Sequence, residues 1–291
     1  MTPITSALLA WYFVAVWGSG YVATKVGLQY APPFTFLTLR FAFGLVCLLP
    51  VILVWKPRWP ATRVELGHLV VVGLLMHAVQ LGASHYSQYL GMSAGVTALI
   101  ISAQPLFTSI IASRWLNARL TPGQWAGVVI GLAGVALVVW HKVDIREVTA
   151  GSLLATLIAL AGVTAATLYQ KTFCPHADLK TAAVVQFAAS LAVLAPLSFA
   201  LEGFAVRWSW ELFGSIAFLV IFASLLAVSA LYVLMRDGEA TRVTSLMYLP
   251  PIVAVLCELA LFGVMPTALT VMGIGVTCIG VAMTVWTPRW K

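Results

Sequence analysis

Residues 17–40 read WGSGYVATKVGLQYAPPFTFLTLR. The stretch closes one long apolar segment, turns through Ala31-Pro32-Pro33 and enters a second. Only three residues well inside the apolar segments of this chain would carry a formal charge, and two are here, Lys25 and Arg40; the third is Glu258. A charge in hydrocarbon costs at least ~2.5–3.5 kcal/mol on insertion scales, so such residues usually face a cavity or a partner.

Working outward, the chain has 291 residues, of which 62% are hydrophobic and 9% charged. A soluble domain has about 25% charged residues. This balance predicts an all-α polytopic membrane protein, and the continuous apolar runs exclude the alternation of a transmembrane β-barrel. Ten spans are expected, at roughly 4–29, 33–55, 66–90, 93–116, 122–140, 151–171, 180–201, 212–235, 243–263 and 266–286. Short connections carry the breakers Pro57, Pro60, Pro122, Gly123, Pro175, Gly203, Gly238 and Pro266, with no soluble domain inserted. The opening MTPITSALLAWYFV lacks a basic n-region and reads as a retained helix. With a cytoplasmic N-terminus, eleven Lys and Arg fall in inner loops and three in outer ones, Lys142, Arg146 and Arg207. Both termini are therefore expected on the cytoplasmic side, in a bacterial inner (plasma) membrane. The +7 net charge follows this orientation rule and does not indicate nucleic acid. The four cysteines have no metal or redox spacing, and neither a metal nor another cofactor is expected.

The chain also repeats itself. Adding 146 takes Lys25 to Lys171, Phe41 to Phe187, Pro50 to Pro196, Glu65 to Glu211, Tyr86 to Tyr232, Pro105 to Pro251 and Trp140 to Trp286. Matches at Lys, Glu, Tyr, Pro and Trp in one register are hard to obtain from apolar composition alone. The halves 1–145 and 146–291 would each hold five helices. An odd number makes the second half enter from the opposite side, which gives an inverted repeat suited to opening a site alternately to each face.

On these residues the chain resembles the ten-helix EamA-type carriers of the drug/metabolite transporter superfamily. The pieces that carry the resemblance are Trp17-Gly18-Ser19, the Pro33 to Arg40 opening of the second span, and the Pro105 region. Leu120-Thr121 followed by Gly127, Gly131 and Gly134 also fits. Arg119 stands where the family usually has an acid. The resemblance implies export of metabolites, often amino acids or drug-like compounds, through a central cavity lined mainly by helices 1, 3, 4, 6, 8 and 9.

Helical periodicity marks the polar faces. His77, Gln80, Ser84 and Gln88 form a stripe in the third span, and Thr97, Gln104 and Thr108 one in the fourth. Thr164, Thr167 and Lys171 align in the sixth. Thr244, Tyr248, Pro251 and Glu258 share a face in the ninth, and Trp17, Tyr21 and Thr24 align in the first beside Lys25. Such stripes either line a shared cavity or only bind helices together. The substrate-binding candidates are Trp17, Tyr21, His77, Gln80, Ser84, Gln104, Thr164 and Tyr248. His77 could also relay a proton; His85 ranks behind it, off the main stripe. Pro105 and Pro251 are hinge or static-kink positions. Lys25, Arg40 and Glu258 form a gating or charge network, unless the two cations simply reach headgroups.

There is no HExxH, Gly-x-Ser-x-Gly or phosphate loop, so no enzyme site is expected. The expected function is a secondary exporter of small metabolites working by alternating access, with the bilayer and a small-molecule substrate as partners and either protons as a coupled ion or facilitated transport without one. A carrier of organic anions or phosphorylated metabolites is the alternative within transport. A receptor or scaffold is the alternative outside it.

Overall fold

A computed structural model describes residues 3–115, 121–144, 148–227, 230 and 249–285. The elements among them are all helical. In hydrocarbon this follows from the backbone, because an apolar segment can satisfy its own N–H and C=O groups only by winding into a helix. Eight described helices are long and apolar enough to cross a membrane, and two shorter apolar helices, Pro250–Phe262 and Ala268–Thr284, follow them.

Helix α1 spans Pro3–Gly27 and α2 spans Pro33–Trp55, with proline in the first turn where a missing N–H costs nothing. Helix α3 (Arg63–Gly73) starts at Thr62, whose side chain accepts from Glu65 N. It runs on without a break as a π-helix over Leu74–Leu81 and then as α4 (Gly82–Tyr89). The fourth apolar span is two pieces, α5 (Ala94–Ser102) and α6 (Gln104–Trp115), separated at Ala103. Then come α7 (Pro122–Asp144), α8 (Ala150–Phe173) and α9 (Leu179–Glu202). Helix α10 (Trp210–Ala217) continues as a second π-helix over Phe218–Ala227. The last two are α11 (Pro250–Phe262) and α12 (Ala268–Val285). By the 146-residue offset, Leu74–Leu81 corresponds to 220–227, so the two π segments occupy equivalent places. π winding makes up well under 1% of residues in soluble proteins, and its recurrence at one repeat position ties it to the repeat.

The chain divides into two compact units. The first comprises Met1–Val22, Gly91–Leu153 and Ala223–Lys291. Its strongest packing joins α7 to the equivalent helix α12. The two run antiparallel at glycine-to-backbone distance. A Cβ on Gly127 would lie 2.6 Å from the Gly280 carbonyl oxygen, and one on Gly134 would lie 2.8 Å from that of Gly273. Gly131 and Thr277, themselves equivalent, meet where the helices cross, with Thr277 Oγ1 3.5 Å from the Gly131 oxygen. Small residues permit this approach, and close packing is what associates helices in lipid.

The second unit comprises Ala23–Leu90 and Leu154–Phe222, and α2 pairs with its equivalent α9. This pair is also antiparallel. Near one end Glu202 meets Thr35, and at the other Thr181 Oγ1 donates to the Arg58 oxygen at 2.8 Å. The equivalent rings Phe41 and Phe187 meet at 5.1 Å between centroids. Within each unit, then, a helix from one half of the sequence packs on its own counterpart running the opposite way.

Candidate functional site

In the second unit the run from α3 to α4 carries the longest polar stripe that the sequence singled out. His77 and Gln80 lie in the π segment and Ser84 follows in α4. Wider π turns change the phase of a stripe counted at α spacing. His85, which sequence periodicity placed off the stripe, is buried together with Ser84, Ser87 and Gln88. The His77 ring packs 5.3 Å from Phe41 and 5.1 Å from Phe187, with the Gln186 side chain as its hydrogen-bonding neighbour. The His85 ring packs 5.8 Å from Phe36. Arg40 follows Phe36 by one turn of α2, is 8% exposed, and acts electrostatically on both histidines.

Most other buried polar groups of this unit have partners. Ser87 and Thr156 share a 2.6 Å hydrogen bond; Thr38 donates to the Phe34 oxygen, Ser190 to that of Gly73, and Thr164 to that of Leu160. On one helix, Nδ1 of His77 and both amide atoms of Gln88 do not, and the His85 ring has only the Leu81 backbone for its two nitrogens. An unmet buried donor or acceptor costs about 1–3 kcal/mol, so such a concentration is unusual and calls for water or a ligand to complete it.

In the first unit the Glu258 side chain is 3% exposed, and its carboxylate is held by a helix start. Oε1 accepts from Ala94 N at 3.3 Å and Oε2 accepts from Gly95 N at 3.1 Å. Ser93 Oγ accepts from Val96 N, so the hydroxyl and the carboxylate together cover the first amides of α5. The positive end of the helix makes this a favourable place for an anion. A small cleft of about 20 Å³, room for one water, opens beside Glu258 among Ser93, Val96, Val255, Val264, Met265, Pro266 and Thr270. Trp17 packs on Phe13 at 5.1 Å. Beside it Gly18 lies against α11, where a Cβ would come within 2.6 Å of Val253 Cβ and 2.7 Å of the Pro250 oxygen.

The remaining sequence candidates fall as follows. Tyr21 is half-buried on α1 in the first unit. Gln104 and Pro105 open α6, and Pro250 and Pro251 open α11, so each equivalent proline, Pro105 and Pro251, is the second residue of a helix. At Pro105 the chain breaks at Ala103 instead of bending an unbroken helix, because a proline in a first turn needs no N–H. Tyr248 lies outside the described residues. Thr164 is buried on α8, whose Gly162 packs against the backbone of Gln80. Lys25 occupies the last turn of α1, where the carbonyl end favours a cation. The structure thus brings His77, Gln80, Ser84, Arg40 and Thr164 into one unit and Trp17, Tyr21, Gln104, Pro105, Pro251 and Glu258 into the other. Among the described residues no group of three or more His, Cys, Asp or Glu is placed to hold a metal ion.

Paired inverted helices, glycine-packed contacts and buried polar groups on apolar helices describe a membrane carrier, and comparison with known proteins agrees. The EamA-like transporter family matches residues 3–140 and again 149–286. The chain belongs to this family. Its members here include the "Uncharacterized inner membrane transporter YedA" of Escherichia coli K12, 26% identical across 97% of this chain and 90% of that protein. The "Probable amino-acid metabolite efflux pump" of the same organism is 25% identical across 98% of this chain and 96% of its own. A solved crystal structure shares the fold, with a TM-score of 0.66 over 97% of this chain and 96% of the other, at 16% identity. This protein is a transporter of the drug/metabolite superfamily, integral to the bacterial inner membrane.

Sequence reasoning passed over Glu202. It stands just outside the expected 180–201 span, yet it is the last residue of α9. Its Oε1 accepts from Phe34 N at 3.0 Å, and its Oε2 accepts from Thr35 N and Thr35 Oγ1, both at 2.7 Å. The available signal was a missing cap: α2 follows Pro32, which offers no side-chain oxygen to the free amides. The π segments left no such signal, because winding depends on packing.

Proposed function

We propose that this protein is a secondary carrier that exports small metabolites, amino acids or close relatives of them, by alternating access. Ten crossings with both termini in the cytoplasm complete the architecture, with residues 1–145 and 146–291 as its inverted five-helix halves. The observation that carries the reading is the antiparallel packing of equivalent helices, α2 on α9 and α7 on α12. Halves related in this way can exchange conformations and present one site first to one side and then to the other. Two π segments at equivalent places supply pliant helix, and the starts of α6 and α11 at equivalent prolines supply paired joints. The name of the efflux-pump relative supports amino-acid-like substrates. Substrate recognition is assigned to the His77, Gln80 and Ser84 run, with Trp17, Tyr21, Gln104, Thr164 and Tyr248 as further contacts. Lys25, Arg40 and Glu258 act as charged gating groups, and a proton is the candidate counter-ion. Everted membrane vesicles test the function. The expected result is saturable uptake of labelled amino acids that is absent from vesicles lacking the protein; equal uptake in both would refute carriage of these compounds. Collapsing an imposed pH gradient with the membrane potential clamped should slow that uptake; an unchanged rate would remove the proton.

A further inference from the structure

We infer that Arg40, His85 and Gln88 form a carboxylate site of the transported molecule, in the second unit and apart from His77. The inference rests on the carrier reading above. Its starting point is the polar accounting of this unit. Hydroxyls of Ser87, Thr156, Thr38, Ser190 and Thr164 all have protein partners, whereas both amide atoms of Gln88 have none and the His85 ring has only the Leu81 backbone beside it, which leaves a second ring nitrogen unmet. These two residues are 2% and 7% exposed and stand three apart on α4, so their side chains are neighbours on one helix. Phe36 packs on His85 with tilted rings, and Arg40, four residues after Phe36 on α2, acts electrostatically on the same histidine.

The chemistry of the corner is specific. Arg40 offers a fixed cation with planar donors suited to a carboxylate. A neutral imidazole offers one donor and one acceptor, and a primary amide offers both kinds. A compact zwitterion answers this set. Its carboxylate faces Arg40, its neighbouring ammonium group faces the acceptor atoms of His85 and Gln88, and its side chain lies against the Phe36 ring. His77 is eight residues away, about 12 Å at helical rise, so one carboxylate cannot engage both histidines. His77 and Gln186 belong to a separate contact.

The test separates a ligand site from buried polar atoms that merely hold water. The whole protein is placed in phosphatidylethanolamine–phosphatidylglycerol nanodiscs, and its thermal unfolding is followed against each proteinogenic L-amino acid and the matching α-amide. At least one amino acid should raise the unfolding temperature, and its amide should need at least about tenfold more for the same shift. Gln88→Leu replaces orphaned polar atoms with apolar ones, so this unliganded variant should be no less stable than the parent; His85→Leu is made beside it. Both should lose the response to the amino acid by about tenfold or more, while His85→Asn keeps part of it. Equal shifts by acid and amide, no shift by any acid, or undiminished response in Gln88→Leu would overturn the site. Proteoliposome flux of the same compounds is read in parallel. Flux with no carboxylate preference removes the site and leaves the carrier; binding without flux removes the carrier and leaves the site.

Discussion

At Gly18 a methyl group has no room. The Cβ would press on Val253 and on the Pro250 backbone at the start of α11, whereas Gly67 on α3 has nothing within 4 Å. Gly18→Ala should therefore cost about 1–3 kcal/mol of stability through overpacking. Gly67→Ala should be neutral or gain up to about 1 kcal/mol from helix propensity. Thermal unfolding in detergent compares the two, and equal effects would mean that α1 does not approach α11 this closely. The two helix-capping acids invite a matched pair of changes. Glu202→Ala strips the partners from Phe34 N and Thr35 N, and Glu258→Ala strips those of Ala94 N and Gly95 N. Each should lose about 1–3 kcal/mol, and the Gln variants should lose less because an amide oxygen still accepts. Unchanged unfolding temperatures in both Ala variants would show that these amides have other partners.

Helices were the most legible part of the sequence, because a run of about twenty apolar residues in lipid has one backbone solution. The boundaries of α2, expected at 33–55, coincide with Pro33–Trp55, and α9, expected at 180–201, is Leu179–Glu202. Windings and breaks were less legible. The change at Leu74 from α to π follows no proline or glycine pair, and it moves His85 into the buried set that α spacing had given to His77 and Ser84. The partner of Glu258 was equally hidden. Counting along α11 shows the acid but not the free amides of α5 that come to meet it. The π segment makes its own prediction. Deleting Val79 should let 74–81 close into an α-helix, leaving a folded protein whose transport falls at least about tenfold. Full transport would show that the wide winding serves packing alone. For the α2–α9 pair, Thr38 and Ser198 hydroxyls lie 3.5 Å apart, so cysteines placed there face each other across the two helices. With Cys47, Cys174, Cys257 and Cys278 replaced by Ala, Thr38→Cys with Ser198→Cys should cross-link in membranes under mild oxidant. No cross-link would argue against antiparallel packing of these helices.

The whole molecule joins two levels of order. Its sequence repeats at an offset of 146, and its compact units mix the two halves, so that α2 meets α9 in one unit and α7 meets α12 in the other. Sequence alone could supply the repeat, since matched Lys, Pro, Tyr and Trp survive in one register. It could not show which helices pair, because apolar faces are too alike to name their neighbours. Those pairings are what a two-state carrier uses, and the central claim is that substrate crosses by exchange between two such states. Trans-stimulation measures this directly. Proteoliposomes holding an unlabelled amino acid that the protein accepts should take up the labelled form faster than empty ones, and the rate should saturate with external substrate. Uptake that is indifferent to internal substrate and linear in external concentration would contradict alternating access.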